Sequence, residues 1–407
     1  MRRLMVALAA SGLAAVAVTA CSSSGGSANA GGGSSGGGDY VIGYVNGMSG
    51  PVAVYGQYSL AYLQAAVKDA NASGGVNGKK IVIDVLDSAA SGSNAVAATE
   101  QMITSKHPDV IYGMTLSADC TAVGPVVKRY KTPLVCASTS DGSVNPVQPY
   151  VFASQALEGA LAAPAVNFAL QNLKLPKGST YETIINPAQG GEDFASGVDA
   201  AAQAAGLTKA GSESIAYTAV NPATQVSQAV SKKPAVVFMD AIGPDIQATA
   251  QGFTAAGLTT PIVAIFSSLG YDGFTKLADP NLYEVMQTNY VTPALAAQSA
   301  GVAQVQKILE ADGMSTPSVQ DQQLGPQALL PGLAIVQGLK ACGASCTPEK
   351  MATALESATV NLDGFAKNFT WSASDHVPVH FVDVVGYDAA AKSVKTVATD
   401  LSVTSGS

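Results

Sequence analysis

The strongest constraint on the fold is a regular alternation of short apolar runs with longer segments in which apolar residues recur every three or four positions. Residues 40–44, 81–86, 110–113 and 134–136 have strand character, and helix-like segments such as 92–103 separate them. Strands joined by helices of this length are typical of a parallel sheet covered by helices on both faces. The first part of the chain is therefore predicted to be an α/β domain.

The same alternation resumes beyond residue 153, which indicates a second sheet. Strand-like segments at 181–185, 235–239 and 262–266 are separated by helix-like segments at 194–205 and 246–256. Further helices are predicted at 297–311, 326–341 and 348–357, and further strands at 381–387 and 394–397.

Two sheets in one chain predict two Rossmann-like α/β lobes joined by several chain crossings. We expect residues 39–153 and 293–358 to form the first lobe, and residues 154–292 and 359–407 to form the second. Open α/β sheets bind ligands at the carboxyl ends of their strands. Two such edges that face each other predict a ligand cleft that closes about a hinge.

The first twenty residues have the pattern of a secretory signal peptide. Arg2 and Arg3 precede an apolar run at 4–18, which is shorter than the roughly 20 residues of a membrane span. The run ends in small residues before Cys21, a sequence that resembles the lipobox of bacterial lipoproteins. We therefore expect cleavage before Cys21 and acylation of its thiol, and an ordinary small-residue cleavage site is the alternative.

Residues 21–38 contain the predicted acylated cysteine followed by a tether. The segment from Ser22 to Gly38 is almost entirely Ser, Gly, Ala and Asn, a composition that buries little apolar surface and gives a flexible linker. Such a linker spans roughly 20–25 Å on average. The pattern predicts a folded body anchored by lipid to the extracytoplasmic face of a membrane.

The charge balance argues against nucleic acid as a partner. Charged residues make up 12% of the chain, and without Arg2 and Arg3 there are 19 basic and 29 acidic residues, a net charge of −10. Nucleic-acid binding depends on clustered Lys and Arg. An acidic surface is instead common in a solvated exported protein.

Once Cys21 is assigned to lipid, four cysteines remain in an oxidising compartment, and they allow three pairings. We favour Cys120 with Cys136 and Cys342 with Cys346. The second pair needs a loop, which Gly343 and the helix-start signal Thr347-Pro348 indicate. A structural zinc site is the competing interpretation, although CxxC spacing is absent.

Two segments carry a resemblance to a known family. Residues 47–56 (GMSGPVAVYG) and 69–80 (DANASGGVNGKK), with Asp87 at the matching distance, resemble the first lobe of branched-chain amino-acid binding proteins. These proteins have the type I periplasmic binding fold and serve ABC importers. The resemblance is specific over residues 41–145, looser to about 270, and architectural beyond that.

The resemblance implies a set of first-lobe ligand contacts. The family holds the ligand's carboxylate with hydroxyls and backbone amides at strand–helix turns, where a helix N-terminus favours an anion. Ser117, Ser138, Thr139 and Ser140 match these positions, and Tyr55 matches an aromatic residue that lies over the ligand. N-capping is the alternative role of the serines, and packing is that of Tyr55.

The second lobe departs from the family pattern. Gln189 stands where an aromatic residue is expected, the run Asp240-Ala241-Ile242 stands after Met239 where the family often has another, and Phe266 stands near the expected acid. Without that acid, a buried ligand ammonium lacks a partner, unless Asp240 replaces it. The hypothesis is therefore a small carboxylate- or amide-bearing ligand with apolar bulk that need not be a free amino acid.

The resemblance implies an extracytoplasmic solute-binding lipoprotein of an ABC importer that captures an amino-acid-like molecule and delivers it to a permease. We expect a monomer that has no enzymatic activity and binds no cofactor or metal. His376 and His380 are predicted to be solvent-facing strand residues, with a metal pair as the alternative. A ligand-sensing lipoprotein that reports to a receptor is the first alternative function, and an exported enzyme is the second.

Overall fold

The computed structural model describes residues 38–50, 53–138, 140–216, 221–265, 269–287, 299–314 and 321–403, and the side chains of all of these except 270–272 and 321–327. The predicted signal peptide, Cys21 and the tether through residue 37 lie outside the described residues. Thr139 and Phe266, both predicted ligand contacts, also lie outside them.

The first sheet has five parallel strands in the order β2-β1-β3-β4-β5. Its central strands are apolar throughout, because helices cover both faces of the sheet and leave no polar side. The strands are β1 Tyr40–Asn46, β2 Ile81–Asp87, β3 Val110–Gly113, β4 Leu134–Cys136 and β5 Val151–Ala153, and the helices between them are α1 Ala53–Ala72, α2 Gly92–Lys106, α3 Ser117–Tyr130 and the short α4 Asp141–Val144.

The second series of strands and helices follows a 3₁₀ turn at Gly159–Leu161. Its helices again alternate with parallel strands, as the sequence pattern predicts. The strands are β6 Thr180–Ile185, β7 Thr208–Ser214, β8 Val236–Asp240, β9 Ile262–Ile265 and β10 Leu282–Met286, and the helices are α5 Ala162–Gln171, α6 Gln189–Ala204, α7 Ala223–Lys232, α8 Gly243–Ala255 and α9 Gly270–Leu277.

The last part of the chain adds helices to the first lobe and strands to the second sheet. The second sheet has seven strands in the order β14-β13-β10-β9-β8-β6-β7, and β13 pairs antiparallel with both β10 and β14. The elements are α10 Ala300–Ala311, α11 Asp321–Cys342, α12 Pro348–Leu355, a hairpin of β11 Thr359–Leu362 and β12 Ala366–Thr370, and the strands β13 Phe381–Asp388 and β14 Ser393–Ser402. The predicted fold of two Rossmann-like lobes is confirmed.

One boundary differs from the sequence interpretation, which places residues 359–371 in the second lobe. The buried side chains of this segment, including Phe369 and Trp371, pack in the same hydrophobic core as Tyr44 and Leu63 of the first lobe. The hairpin follows α12 directly and covers apolar surface there before the chain crosses over. The other predicted domain boundaries stay predictions.

The chain segment that leaves the first lobe after the hairpin contacts the end of β5, where the chain first leaves that lobe. The indole Nε1 of Trp371 donates to the Ala153 carbonyl at 2.7 Å, and the Ala153 amide donates to the His376 carbonyl at 2.9 Å. The His376 ring stacks on Phe152 and its Nδ1 lies 2.7 Å from the Val151 carbonyl oxygen. His376 is 2% exposed and lies outside any strand, so the prediction of a solvent-facing strand residue is wrong for it.

Two disulfides lie in the first lobe. Cys120 near the start of α3 pairs with Cys136 at the end of β4, and both side chains are fully buried. Cys342 at the end of α11 pairs with Cys346 across the loop before α12. Within the described residues no helix has the length and apolar character of a membrane span.

We predict that the two disulfides stabilise the protein unequally. The Cys120–Cys136 bond closes a loop with a sequence separation of 16, against 4 for Cys342–Cys346. From loop entropy, replacing Cys120 and Cys136 by Ala should lower the free energy of unfolding by about 3 kcal/mol, and the same change at Cys342 and Cys346 by about 2 kcal/mol. Chemical denaturation of the oxidised proteins measures both losses, and a larger loss at Cys342–Cys346 would contradict the prediction.

Candidate functional site

The carboxyl ends of strands from both sheets meet where the two lobes contact each other. Ser138 follows β4 of the first lobe, Asn186 follows β6 of the second, and Asp240 ends β8 of the second. The helices α3, α6 and α8 begin at the same edges. In open α/β sheets this is where ligands bind.

Glu158 lies on the crossing between the lobes and touches both of them. The nearby side chain of Ser138 opposes the rise in the pKa of its carboxylate, and a Cβ atom at Gly190 would lie 1.0 Å from its Oε2. The carboxylate therefore rests on the first turn of α6, where unpaired backbone N–H groups favour negative charge. Because glycine has no Cβ atom, only glycine at position 190 leaves room for the Glu158 carboxylate.

Asp240 is buried beside Asn186. The Asn186 amide Nδ2 donates to Asp240 Oδ2 at 3.0 Å, and its backbone N–H donates to the Asp240 carbonyl at 2.9 Å. Burial raises the pKa of Asp240 to about 7, although the hydrogen bond from Asn186 opposes the shift. The side chain is thus held in place while its charged form is disfavoured.

Asp193 of α6 joins the lobes directly. Its Oδ2 accepts from the Asp141 backbone N–H of the first lobe at 3.3 Å, and its Oδ1 accepts from Gln189 Nε2 at 2.8 Å. Burial, followed by the charge of Asp193, raises the pKa of Asp141. One buried carboxylate oxygen of Asp141, Oδ1, has no hydrogen-bond partner among the described residues.

These four acids form one group, which we call the interlobe carboxylates: Asp141, Glu158, Asp193 and Asp240. Burial, then the charges of Asp240, Asp193 and Asp141, raises the pKa of Glu158 well above its ordinary value. In the described part of the chain no Lys, Arg or His forms an ion pair with any of them. The described residues also contain no group of three side chains placed to hold a metal ion.

A fifth acid, Asp245, faces Tyr55 of the first lobe from the first turn of α8. Asp245 is 5% exposed, and burial raises its pKa to about 6. Burial and then the charge of Asp245 raise the pKa of the half-buried Tyr55. We call these two residues the Tyr55–Asp245 pair.

The first-lobe hydroxyls divide into two sets. Ser140 belongs to a buried network in which Thr121 Oγ1 lies 3.3 Å from Ser140 Oγ and 2.7 Å from Ser143 Oγ. Ser117 is buried at the start of α3, and its carbonyl accepts from Thr121. Ser140 therefore has a structural role in joining α3 to α4, whereas Ser138 faces Glu158.

The structure brings together several residues that the sequence singled out. Tyr55, Ser138 and Asp240 lie at the contact between the lobes, whereas Gln189 is exposed and donates to Asp193. Their contact with a ligand stays a prediction. The sequence reading missed Asp141, Glu158, Asp193 and Asp245, although Asp245 follows Pro244 at a helix start, a position where an acid faces the sheet edge.

Comparisons with known proteins agree on one architecture. A family model described as a periplasmic binding protein matches residues 39–392. The Leu/Ile/Val-binding proteins of Escherichia coli (strain K12) and Citrobacter freundii are each 38% identical over 65 residues, which is 16% of this chain. The match spans 18% of the length of these relatives.

Solved structures match far more of the chain. A branched-chain amino-acid ABC transporter protein from Thermus thermophilus with bound valine has a TM-score of 0.77 at 13% identity, over 90% of this chain and 98% of that one. A fatty acid ABC transporter substrate-binding protein from Thermomonospora curvata has a TM-score of 0.75 at 16% identity, over 90% of this chain and 92% of that one. A solute-binding protein from R. palustris in complex with benzoate has a TM-score of 0.73 at 20% identity, over 90% of this chain and 98% of that one. At these identities the likeness shows the fold.

We predict that Asp240 makes the ligand-free protein less stable as pH rises. Its folded pKa of about 7 lies well above that of a free aspartate. The unfolded state therefore loses its proton first, and the folded state becomes progressively less stable as pH rises from about 4 to 7. At about 1.4 kcal/mol per pKa unit the loss is on the order of 4 kcal/mol. Asp240→Asn should remove it, so the variant should gain stability over the wild type between pH 4 and 7.

Denaturation curves of both proteins across this pH range provide the measurement. Asp388→Asn is the matched control of opposite sign, because hydrogen bonding to Lys395 lowers the pKa of this exposed acid. That variant should lose any stability difference from the wild type as pH falls. A pH-independent difference between Asp240→Asn and the wild type would contradict the prediction.

Proposed function

Because the chain belongs to the periplasmic binding protein family, we propose that it captures a small molecule between its two lobes and delivers it to an ABC permease. The observation that carries this proposal is the meeting of buried polar side chains from both lobes at the strand ends. The hydrogen bond from the Asp141 backbone N–H to Asp193 joins the lobes there, and the side chain of Ser138 lies near Glu158. A ligand bound at this place contacts both lobes and so favours the closed form.

The proposed mechanism begins with the first lobe. Ser117, at the N-terminus of the 14-residue helix α3, and Ser138, after β4, offer hydroxyl and backbone donors to a carboxylate or amide oxygen. The second lobe then closes over the ligand, bringing Asp240 and Asp245 toward it. The ligand class is thus an amino-acid-like small molecule.

The proposal includes a place in the cell. A chain cleaved before Cys21 and acylated there is held by its tether at the extracytoplasmic membrane face, where it meets the permease. It acts as a monomer by binding alone, without a cofactor and without catalysing a reaction. The energy for transport then comes from a separate ATPase.

The test of this function starts with the full-length protein in detergent. A thermal-shift screen against amino acids, diamines, aromatic acids, amides and fatty acids identifies a ligand, because a compound at 100 times its Kd stabilises by about 2.7 kcal/mol. The liganded protein should then stimulate ATP hydrolysis by its cognate permease and ATPase, reconstituted together in liposomes. Stabilisation without stimulation would favour a sensing role and contradict delivery.

We predict that Ser138→Ala weakens binding of the screened ligand about 2- to 10-fold, the worth of one hydrogen bond. Ser231→Ala is the matched control, since this serine is exposed on α7 and its hydroxyl donates only to the Gln228 carbonyl. Titration calorimetry measures both dissociation constants. Equal affinities of the two variants would place the ligand away from Ser138.

A further inference from the structure

Basic side chains of the first lobe collect at one end of its sheet. The strands are parallel and start nearly level, with Tyr40 opposite Ile81 and Ile111 opposite Leu134. The segments that lead into them therefore share one edge. Six basic residues lie in the last helical turns or loops before β2, β3 and β4, and we call them the basic edge: Lys79, Lys80, Lys106, Lys128, Arg129 and Lys131.

Acids match only part of the basic edge. Lys106 Nζ lies 3.3 Å from Asp84 Oδ1, and the Arg129 guanidinium pairs with Glu100 of α2. Three further lysines are exposed and form no ion pair within the described residues: Lys80, Lys128 and Lys131. These three ammonium groups are free to meet an anion from outside the protein.

The two ends of the first sheet differ in charge. At the amino end the six basic residues stand against five acids, namely Asp39, Asp69, Asp84, Glu100 and Asp109. At the carboxyl end, residues 38–158 contribute four acids and no Lys or Arg, and these acids are Asp87, Asp119, Asp141 and Glu158. Lys68 is the one remaining basic residue of this range, and it pairs with Asp312 at 2.9 Å. The sheet thus has its positive charge at one end and its negative excess at the cleft.

The predicted tether joins the first lobe at the basic edge. The described chain starts at Gly38, and the ring centroid of Tyr40, the first residue of β1, lies 5.0 Å from Lys79 Nζ. The Tyr40 backbone N–H donates to the Lys80 carbonyl at 2.9 Å. Neither lysine lies in the last turn of a helix, so a helix dipole does not account for them. A tether of roughly 20–25 Å limits how far this edge can be from a lipid at Cys21.

We propose that the basic edge rests on the anionic headgroups of the membrane that holds the tether. This inference rests on the proposed acylation of Cys21. Lys and Arg are attracted to an anionic membrane surface within about one Debye length, ~8 Å at physiological salt. Tyr130 is 39% exposed among these cations, and the Arg129 guanidinium carbon lies 4.7 Å from its ring centroid. An amphipathic tyrosine suits the boundary between water and lipid.

Contact at the basic edge turns the ligand cleft away from the membrane. The seven residues of β1 separate the two ends of the sheet by roughly 23 Å. Ser138 and the interlobe carboxylates lie at the far end, and the same anionic surface repels the acids there. The cleft therefore faces the medium during capture, and the tether lets the body turn toward the permease for delivery.

Amine labelling of the full-length acylated protein in liposomes tests the proposal. The liposomes contain phosphatidylcholine alone or mixed with phosphatidylglycerol, and mass spectrometry measures the labelling rate at each lysine. On the anionic liposomes Lys80, Lys128 and Lys131 should label about fivefold more slowly, the factor expected for one lysine at an anionic surface. About 1 M NaCl, where the Debye length is roughly 3 Å, should restore the rates.

Three lysines of the second lobe are the internal controls. They are exposed, form no ion pair within the described ranges, and precede β6 and β8 at the amino end of the other sheet: Lys174, Lys177 and Lys233. Their labelling rates should be the same on both kinds of liposome. Equal slowing at the two sets of lysines would overturn the proposal.

Two matched triple variants test the edge by removing its charge. One combines Lys80→Gln, Lys128→Gln and Lys131→Gln, and the control combines Lys174→Gln, Lys177→Gln and Lys233→Gln. Lys106 stays in both proteins and reports on the contact. Its protection on anionic liposomes should disappear in the first variant and persist in the control, and equal protection in both would overturn the assignment to the basic edge.

The outcomes separate this inference from the function on which it rests. A full-length protein that does not float with liposomes lacks the lipid anchor, which would overturn the proposed place in the cell together with this inference and leave solute capture to the thermal-shift screen. Equal protection on neutral and anionic liposomes would overturn only the contact with anionic headgroups. Equal protection by inorganic phosphate without liposomes would assign the edge to a free anion and overturn the membrane contact.

Discussion

Glu158 and Asp240 are buried acids at the contact between the lobes. The arrangement of the site depends on what offsets the free-energy cost of burying their charges. Burial alone raises the pKa of Asp240 to about 7, and the neighbouring acids raise that of Glu158 further. The first turn of α6 and the Asn186 amide offset part of this cost. Protons on the buried carboxyls offset the rest of this cost, so closure of the lobes and protonation are linked.

The scaffold around these acids is rigid on the first-lobe side. The Cys120–Cys136 bond ties the first turn of α3 to the end of β4, next to Ser138. The Thr121, Ser140 and Ser143 hydroxyls join α3 to α4 beneath it. The crossing after the hairpin is held as well, since the side chains of Trp371 and His376 contact backbone carbonyls of β5. A rigid first lobe suits initial capture, since the donors are in place before the ligand arrives.

The alternation of strand and helix patterns was enough to predict both sheets, because buried parallel strands are apolar throughout and their helices have one apolar face. The apolar pattern did not predict strand β7, because its sequence, TKAGSES, is polar, as suits the edge of a sheet. The antiparallel pairing of β13 follows from packing against β10 that no local pattern encodes. At the contact between the lobes, the sequence pattern singled out Ser138 and Asp240 by their positions at the ends of predicted strands. It did not single out Glu158 and Asp245, because their placement depends on which loops the fold brings together. The glycine at position 190 has a physical reason, since a larger residue would displace the Glu158 carboxylate.

The central claim is that closure of the lobes over a ligand is linked to the protonation of the buried acids, and the number of protons exchanged tests it directly. Calorimetric titration of the full-length protein with its preferred ligand at pH 6.5, in two buffers of different ionisation enthalpy, yields that number. Because the pKa of Asp240 near 7 keeps that carboxyl partly protonated at this pH, the account predicts that ligand binding changes the number of bound protons, so the measured heats differ between the two buffers. Identical heats in the two buffers would contradict it.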